Sequence, residues 1–214
     1  MRTAVVVFPG TNCEQDVVYA LEHLGGEAKL VWHRETDLAG FDAVVLPGGF
    51  AHGDYLRTGA IARLSPVMSE VERFAGEGLP VLGICNGFQI LCEADLLPGA
   101  LIANRDLSFI CRQVDLEVTD ADTIITRGLE RGQRMRIPLN SYEGSWVDPT
   151  RSGRVVIRYL DAPNGSQDGA AAVANHRGNV VGIMPHPERG VEEVLGSSDG
   201  QMLLRSFLGA MVTS

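Results

Sequence analysis

The sequence feature that most constrains the fold is a nine-residue stretch, 83–91, which reads GICNGFQIL. An apolar run, 79–82, precedes it and a helix-like pattern follows it, so we expect a sharp strand-to-helix turn. Cys85 lies in this turn, and we expect Gly83 and Gly87 to permit the turn and the close approach of side chains or a substrate. The free N–H groups and positive dipole end of the following helix favour a thiolate. The stretch therefore predicts a nucleophile, although many free cysteines are simply small buried apolar residues.

The first half of the chain alternates apolar, strand-like runs with amphipathic, helix-like segments. Apolar residues in the segment after the first run recur with a helical period. Strands that alternate with helices predict a parallel sheet with helices on both faces. The predicted strands are 3–8, 28–32, 42–46 and 79–84, and the predicted helices are 14–24, 65–75 and 88–97.

The second half lacks this alternation, and its strand-like runs follow one another without helices between them. Two of these runs flank a short turn, 175–178, and indicate a hairpin. We therefore predict one α/β domain over residues 1–214, with a mostly parallel central sheet, helices on both faces and an antiparallel extension. The predicted strands of this half are 111–119, 134–139, 155–160, 170–174 and 179–184, and a helix over 198–211 closes the chain.

Composition excludes several classes of function. The net charge is −9 and lysine and arginine form no runs, so the sequence has no electrostatic footprint for nucleic acid. No segment reaches the roughly 18 apolar residues that a membrane span needs. The apolar start of the chain precedes Pro-Gly and acidic residues, which fits a buried first strand better than a signal peptide and predicts a cytoplasmic protein. The four cysteines and five histidines lack zinc-site spacing, so we expect reduced thiols and no metal.

A base for the thiol is offered by the segment 184–189, which reads MPHPER. In an extended segment, residues i and i+2 point to the same side, so Glu188 is expected to reach His186 while Pro187 fixes the backbone. A carboxylate on one ring nitrogen sets the tautomer and supports the imidazolium that forms in the reaction. His186 is therefore the predicted partner of Cys85, and only the fold brings the two together.

Three predicted strands end in segments that point to a site: 8–13, 47–50 and 83–85. Sites in open α/β sheets form beyond the carboxyl ends of the strands, so we expect these segments to meet at one edge. Backbone N–H groups of Pro47-Gly48-Gly49 can face an anion there.

The other cysteines are weaker candidates for the nucleophile. Cys13 also follows a strand and precedes a helix, but no glycine flanks it and the neighbouring Glu14 would oppose a thiolate. Cys92 has helical spacing with Phe88 and is predicted to lie in the core. Cys111 is predicted to be a strand residue.

The motifs Pro47-Gly48-Gly49, 83–91 and His186-Pro187-Glu188 occur in the order typical of the class I, triad-type glutamine amidotransferases, which the chain resembles. A class I glutamine amidotransferase-like fold is implied. Nearly the whole chain looks like the glutaminase subunits of phosphoribosylformylglycinamidine synthase, in their separate-subunit form. The segments that carry this sharper resemblance are 7–13, 48–50, 53–57, 85–89 and 184–189.

Two segments depart from that family's pattern. Ala51-His52 replaces a common Ser-Tyr pair before Gly-Asp-Tyr. Asn140-Ser141-Tyr142 stands where an Ala-His-Gly run is common. Neither change touches the three residues expected to carry the chemistry.

The resemblance implies roles for individual residues. The Cys85 thiolate attacks the side-chain amide carbon of glutamine, and backbone N–H groups near Gly49 and Asn86 hold the oxyanion. His186 protonates the departing ammonia and then activates water against the thioester, while Glu188 orients His186.

The resemblance also implies a substrate contact, partner subunits and the location of the cofactors. Gln89 contacts the bound glutamine. Ammonia passes to a large synthetase subunit that uses ATP and magnesium to make phosphoribosylformylglycinamidine in purine biosynthesis, and a small subunit bridges the two. No cofactor or metal is expected on this chain. Two alternatives stay open: a stand-alone cysteine amidase or peptidase of the same fold, and a regulatory subunit without catalysis.

Overall fold

The computed structural model describes residues 1–210, which form one nine-stranded mixed sheet, a two-stranded sheet and four α-helices. The helices are α1 (Glu14–His23), α2 (Met68–Glu77), α3 (Asn86–Glu93) and α4 (Gly200–Gly209). The strands are β1 (Arg2–Val7), β2 (Glu27–Trp32), β3 (Ala43–Leu46), β4 (Val81–Ile84), β5 (Ala100–Ile102), β6 (Ile110–Val118), β7 (Arg134–Ser141), β8 (Ser145–Val147), β9 (Arg154–Tyr159), β10 (Ala170–Ala174) and β11 (Val180–Ile183).

The strand order of the large sheet is β2-β1-β3-β4-β11-β10-β9-β6-β7. From β2 to β11 every neighbouring pair is parallel, and from β11 to β7 every pair is antiparallel. Strands β3, β4 and β11 are buried at every residue, as expected for central strands covered on both faces. The predicted fold class is therefore confirmed: a parallel sheet with helices on both faces and an antiparallel extension.

The hairpin predicted in the second half is confirmed by β10 and β11, which pair antiparallel. Strand β11 also pairs parallel with β4, and this shared strand joins the two halves of the sheet. The small sheet of β5 and β8 was not predicted, because three residues in each strand are too few to show an alternating pattern.

The helices begin and end at slightly different residues from those predicted. Helix α3 ends at Glu93 rather than at residue 97, and Asp95 beyond it has a positive φ of 56°. Helix α2 begins at Met68 rather than at residue 65. Helix α4 confirms the closing helix within the described residues, and Met211, at the end of that prediction, lies outside them. No helix in residues 1–210 has the length and apolarity needed to span a membrane.

The strand order explains how distant motifs meet. Because β1, β3, β4 and β11 are neighbours and parallel, their carboxyl ends lie along one edge of the sheet. A Cβ built on Gly48 would lie 2.8 Å from the ring of His186, 3.0 Å from Sγ of Cys13 and 3.4 Å from Cβ of Cys85. The predicted meeting of the three strand ends is confirmed, and the segment after β11 joins them.

Candidate active site

The turn between β4 and α3 places Cys85 in a conformation that non-glycine residues rarely adopt. Its φ is 51° and its ψ is −106°, and it precedes the first residue of α3. Such a backbone costs about 1–3 kcal/mol and persists where the surrounding structure enforces it. It is the geometry of a nucleophile elbow, which exposes a side chain above the end of a strand. Cys85 keeps 9% of its surface exposed there.

The glycines on either side of this cysteine permit a close approach of side chains and backbone, as predicted, but the sharp turn itself does not depend on a positive φ at either glycine. Neither Gly83 nor Gly87 has a positive φ. A Cβ at Gly87 would lie 1.9 Å from the carbonyl oxygen of Leu46 on β3, and a Cβ at Gly83 would lie 2.6 Å from the backbone of Gly87. These glycines let α3 pack directly on the sheet, while Cys85 itself takes the strained turn.

The predicted contact between His186 and Glu188 is present, but the backbone that makes it is not extended. His186 precedes a 3-10 turn over Pro187–Arg189, and this turn brings Oε1 of Glu188 to 2.6 Å from Nδ1 of His186. The backbone N–H of His186 donates to the carbonyl oxygen of Pro138 at 2.7 Å. Each of the two side chains belongs to a residue only 2% exposed, so the pair is fixed and shielded from water.

The surroundings of His186 favour its charged form. Burial alone would lower the pKa of the imidazole, but the Glu188 carboxylate and the neighbouring thiols of Cys85 and Cys13 outweigh it. The pKa of His186 is therefore held well above its ordinary value. A protonated imidazole beside a thiol is equipped to give a proton to a leaving group.

A cavity of about 350 Å³ opens beside Cys85 and His186. The Cys85 thiol donates a weak hydrogen bond to the Asn140 carbonyl oxygen, with Sγ and O 3.5 Å apart. Asn140 belongs to the segment that departs from the family pattern, and here its backbone is what touches the thiol. The cavity is lined by Asn12, Cys13, Gly49, Phe50, Asp54, Thr58, Cys85, Gln89, Phe109, Asn140, Ser141, Tyr142, Glu143, His186 and Arg189.

Two backbone N–H groups at the cavity are free to bind an oxyanion. Within residues 1–210, neither the N–H of Gly49 nor that of Asn86 donates a hydrogen bond. Gly49 has a φ of 151° and packs so closely on the loop 10–12 that a Cβ there would lie 2.7 Å from its backbone. Asn86 is the first residue of α3, where the helix dipole adds positive charge.

The buried side chain of Gln89 lines the cavity and is hydrogen-bonded to the buried side chain of Asn86 behind it. Asn86 Nδ2 donates to Gln89 Oε1 at 2.8 Å, and Asn86 Oδ1 accepts from the backbone N–H of Ala51 at 3.0 Å. Gln89 Nε2 donates to the carbonyl oxygen of Glu143 at 2.6 Å. Gln89 therefore lines the cavity, its predicted contact with bound glutamine stays a prediction, and its amide holds the neighbouring loop in place.

Two carboxylates of the cavity were missed as site residues by sequence reasoning. Burial, reinforced by the charge of Glu143, raises the pKa of Asp54 to about 6 despite a hydrogen bond from Asn86. Glu143 accepts a hydrogen bond from the Thr58 hydroxyl at 3.0 Å. The only sequence signal for Asp54 was its place in the segment 53–57, and Glu143 carried none.

Cys13 lies inside the site, although its sequence context gave it little weight. It is 3% exposed and its sulfur lies 3.2 Å from Nη2 of Arg189, whose Nε donates to Asp16 at 2.9 Å. Arg189 is 176 residues away in the sequence, so this contact has no local signal. The other cysteines are placed as predicted: Cys92 is buried in α3 and Cys111 is an exposed residue of β6.

Cys13, His186 and Glu188 form a compact group of a thiol, an imidazole and a carboxylate. One ligand atom from each of Cys13, His186 and Glu188 lies within 4.8 Å of the others, and all three residues are buried. Cys13 lies far from His186 and Glu188 in the sequence, so spacing predicts the histidine–carboxylate pair but not its closeness to Cys13.

Known proteins are similar to this chain over nearly its whole length. The family of CobB/CobQ-like glutamine amidotransferase domains matches residues 1–202. The phosphoribosylformylglycinamidine synthase subunit PurQ of Rubrobacter xylanophilus is 53% identical over 220 residues, covering 99% of this chain and 100% of that protein. The protein of the same name from Thermus thermophilus is 52% identical, covering 98% of this chain and 97% of the relative.

A solved structure is similar over the same length. One chain of a PurLQS structure from Thermotoga maritima superimposes with a TM-score of 0.94 at 44% sequence identity, covering 98% of both chains. The fold, the full-length match and the arrangement of thiol, imidazole and carboxylate therefore support the same family assignment.

Proposed function

The chain belongs to the CobB/CobQ-like glutamine amidotransferase family, and from this premise we propose that it is the glutaminase subunit of a phosphoribosylformylglycinamidine synthase. It hydrolyses glutamine to glutamate and ammonia, and the ammonia serves the synthesis of phosphoribosylformylglycinamidine in purine biosynthesis. The observation that carries this proposal is the cavity in which the strained Cys85 meets the His186–Glu188 pair.

In the first half of the reaction, the Cys85 thiol gives its proton to Nε2 of His186, and the resulting thiolate Sγ attacks the side-chain amide carbon of glutamine. The carbonyl oxygen gains negative charge and accepts hydrogen bonds from the backbone N–H groups of Gly49 and Asn86. The tetrahedral intermediate then collapses to a thioester as His186 gives a proton to the departing ammonia. The raised pKa of His186 supports this role, because the ring holds the proton that the leaving group needs.

In the second half, His186 removes a proton from water, which attacks the thioester carbon and releases glutamate and the free thiol. Glu188 holds Nδ1 of the ring throughout, so that Nε2 stays directed at the reacting atoms. His186 Nε2 is buried and has no hydrogen-bond partner within residues 1–210, which leaves it available to substrate.

The partners proposed are a large synthetase subunit and a small bridging subunit, as the name of the Thermotoga maritima PurLQS structure suggests. Exposed apolar side chains in and next to the cavity lining support docking there. Phe50 and Phe109 line the cavity and are more than half exposed, and Tyr55 and Leu56, which are 73% and 89% exposed, lie in the sequence between the lining residues Asp54 and Thr58. Exposed apolar patches of this kind mark interaction sites. We place ATP and magnesium on the synthetase subunit.

The proposal is tested by measuring glutamine hydrolysis by the chain alone and after mixing with the synthetase and bridging subunits. We expect the partners and the nucleotide ligand to raise the rate. In the assembled complex, Cys85→Ala is expected to abolish synthesis from glutamine and to leave synthesis from added ammonia intact. An unchanged rate on mixing would favour a stand-alone amidase, and loss of ammonia-dependent synthesis would mean that the variant damages assembly.

A further inference from the structure

We propose that Asp54 and Glu143 bind the α-ammonium group of the substrate and so restrict the enzyme to glutamine with a free α-amino group. The inference rests on the glutaminase function proposed above and names the side chains that recognise its substrate. Both residues line the cavity that contains Cys85 and His186. Neither carries a proton in the two halves of the reaction, so their presence in this cavity has a different reason.

The two carboxylates bring negative charge into the cavity without a cation beside them. Within residues 1–210, neither Asp54 nor Glu143 forms an ion pair. Arg189, the arginine of the lining, is paired with Asp16 instead. The charge of Glu143 adds to burial in raising the pKa of Asp54, so the two carboxylates are close enough to repel each other. An ammonium group bound between them removes this repulsion and forms charge-assisted hydrogen bonds.

Neutral donors hold each carboxylate by one oxygen and leave the other oxygen free. The hydroxyl of Thr58, which also lines the cavity, donates to Oε2 of Glu143 at 3.0 Å. Asn86 Nδ2 donates to Oδ1 of Asp54 at 3.3 Å. In the described part of the chain, Oε1 of Glu143 and Oδ2 of Asp54 accept no hydrogen bond. The pair is therefore fixed in place and keeps two acceptors for a ligand, and an ammonium group offers three donors.

Hydrogen bonds from α3 place the acidic pair about one glutamine length from Cys85. Asn86, which follows Cys85, contacts Asp54, and Gln89 donates to the backbone carbonyl oxygen of Glu143 at 2.6 Å. Cys85 and Gln89 are separated by about 6 Å along the helix axis. The four bonds from the amide carbon of glutamine to its α-nitrogen span about 5 Å when extended. A glutamine whose amide carbon lies at the thiol therefore reaches the carboxylates with its ammonium group.

A second feature indicates independently that this cavity receives a ligand. His186 lines it and is only 2% exposed, and its Nε2 has no hydrogen-bond partner within residues 1–210. Buried polar atoms without partners are rare, and a bound substrate supplies the missing partner. Nε2 and the free N–H groups of Gly49 and Asn86 serve the reacting amide. The free oxygens of Asp54 and Glu143 are left for the charged group that glutamine carries at its α-carbon.

The consequence for specificity follows from what each glutamine derivative offers to the carboxylates. Glutaramate, which is glutamine without its α-amino group, has no donor at this position. N-acylated or peptide-bound glutamine has a neutral amide nitrogen there. Either compound leaves the charges of Asp54 and Glu143 unpaired in the cavity, and a site built to bond a substrate group strongly rejects analogues that lack it. The acidic pair therefore excludes the alternative of a peptidase that acts on glutamine within a chain.

The test measures ammonia release from glutamine and from glutaramate by the complex with the synthetase and bridging subunits. The wild-type kcat/KM should favour glutamine by at least about 100-fold. Asp54→Asn and Glu143→Gln should each lower kcat/KM for glutamine by about 10–100-fold, mainly through KM, because each removes a charged hydrogen-bond acceptor. Neither variant should lower kcat/KM for glutaramate. The matched control is Glu72→Gln, which changes an exposed carboxylate of α2 outside the lining and should match the wild type with both substrates.

The comparison of substrates on the wild type decides the question even if a variant does not fold. The inference is overturned if glutaramate or N-acetylglutamine is hydrolysed as efficiently as glutamine. It is also overturned if the variants leave kcat/KM for glutamine unchanged, or lower it equally for both substrates as a purely structural role would. Failure of the glutaminase proposal is recognised separately, as no hydrolysis of glutamine by the wild-type complex. Calorimetry on the Cys85→Ala complex then still tests the ammonium site, which predicts that glutamine binds more tightly than glutaramate.

Discussion

Two strand-to-helix junctions of this protein each present a buried thiol to the same histidine, and they differ in almost everything else. Cys85 follows β4 with a φ of 51° and a ψ of −106°, whereas Cys13 follows β1 with a φ of −104° and a ψ of 12°. The thiol of Cys85 donates to a neutral carbonyl oxygen, and the sulfur of Cys13 accepts from the guanidinium of Arg189.

The difference shows what makes one of two neighbouring thiols a nucleophile. The strained turn at Cys85 places this residue in the wall of the cavity, next to Asn86, whose backbone N–H is free, and the hydrogen bond from its thiol to the Asn140 carbonyl oxygen is weak enough to give up to a substrate. Cys13 has an ordinary backbone conformation, and its sulfur accepts a hydrogen bond from Arg189 instead of lying beside free backbone N–H groups of a strained turn. Backbone strain and free N–H groups, rather than closeness to His186, separate the two roles.

The largest expected effect comes from removing each thiol in turn. Cys85→Ala should lower the glutaminase kcat by on the order of 10⁵-fold, because removing a nucleophile leaves only binding and oxyanion stabilisation. Cys13→Ala should lower it by less than about tenfold, since the substrate carbon does not bond to that sulfur. Steady-state glutamine hydrolysis in the assembled complex measures both. Equal losses of kcat in the two variants would contradict the assignment of Cys85 alone as the nucleophile. A larger loss in Cys13→Ala would assign that role to Cys13.

A smaller effect is expected at the histidine that both thiols share. Glu188→Gln should lower kcat by on the order of 10³-fold, because the amide cannot stabilise the imidazolium or fix its tautomer as the carboxylate does. The control is Glu193→Gln, which neutralises an exposed carboxylate close by in the sequence and should leave kcat unchanged. A Glu188→Gln rate within tenfold of the wild type would show that Cys85 works with an imidazole that needs no positioning.

The sequence predicted Cys85 and the His186–Glu188 contact because each has a local signal: a cysteine between glycines after an apolar run, and a carboxylate two residues beyond a histidine. The close approach predicted at Gly83 and Gly87 is present, but the contact with Leu46 on a distant strand could not be predicted. The extended backbone predicted for 186–188 was wrong, because a short 3-10 turn leaves no periodic pattern. The positions of Arg189, Asp54 and Glu143 at the cavity could not be predicted from the sequence, because only the strand order of the folded sheet brings these charged residues together.

The tight packing of the elbow is tested by stability rather than by rate. Gly87→Ala should lower the free energy of unfolding by about 1–3 kcal/mol, because its Cβ would lie 1.9 Å from the Leu46 carbonyl oxygen and force α3 to shift. Gly76→Ala is the matched control within α2, where a Cβ meets nothing within 4 Å, and it should raise stability by about 0.5–1 kcal/mol. Urea unfolding measures both changes. Similar values in the two variants would mean that the elbow is no more tightly packed than an exposed helix.

The smallest expected effect concerns the carboxylates that accompany the two junctions, Asp54 beside Asn86 at the elbow and Asp16 beside Arg189 near Cys13. Burial raises the pKa of Asp54 to about 6, so the folded protein keeps this proton over a range in which the unfolded chain has already lost it. The sign follows from linkage: the group destabilises the folded state progressively as pH rises from about 4 to 6, and the penalty is constant above that window.

Asp54→Asn removes this penalty and keeps the oxygen that accepts from Asn86 Nδ2. The variant should therefore gain stability over the wild type as pH rises through 4 to 6, by less than about 1 kcal/mol because Asp54 is only half buried and solvent screens its charge. Asp16→Asn should show no such gain, since it loses an ion pair with Arg189 instead. The free energy of unfolding of both variants and of the wild type is measured by urea unfolding at pH 4 and pH 7.5. A gain in Asp16→Asn, or none in Asp54→Asn, would place the strained carboxylate at the Cys13 junction rather than at the elbow.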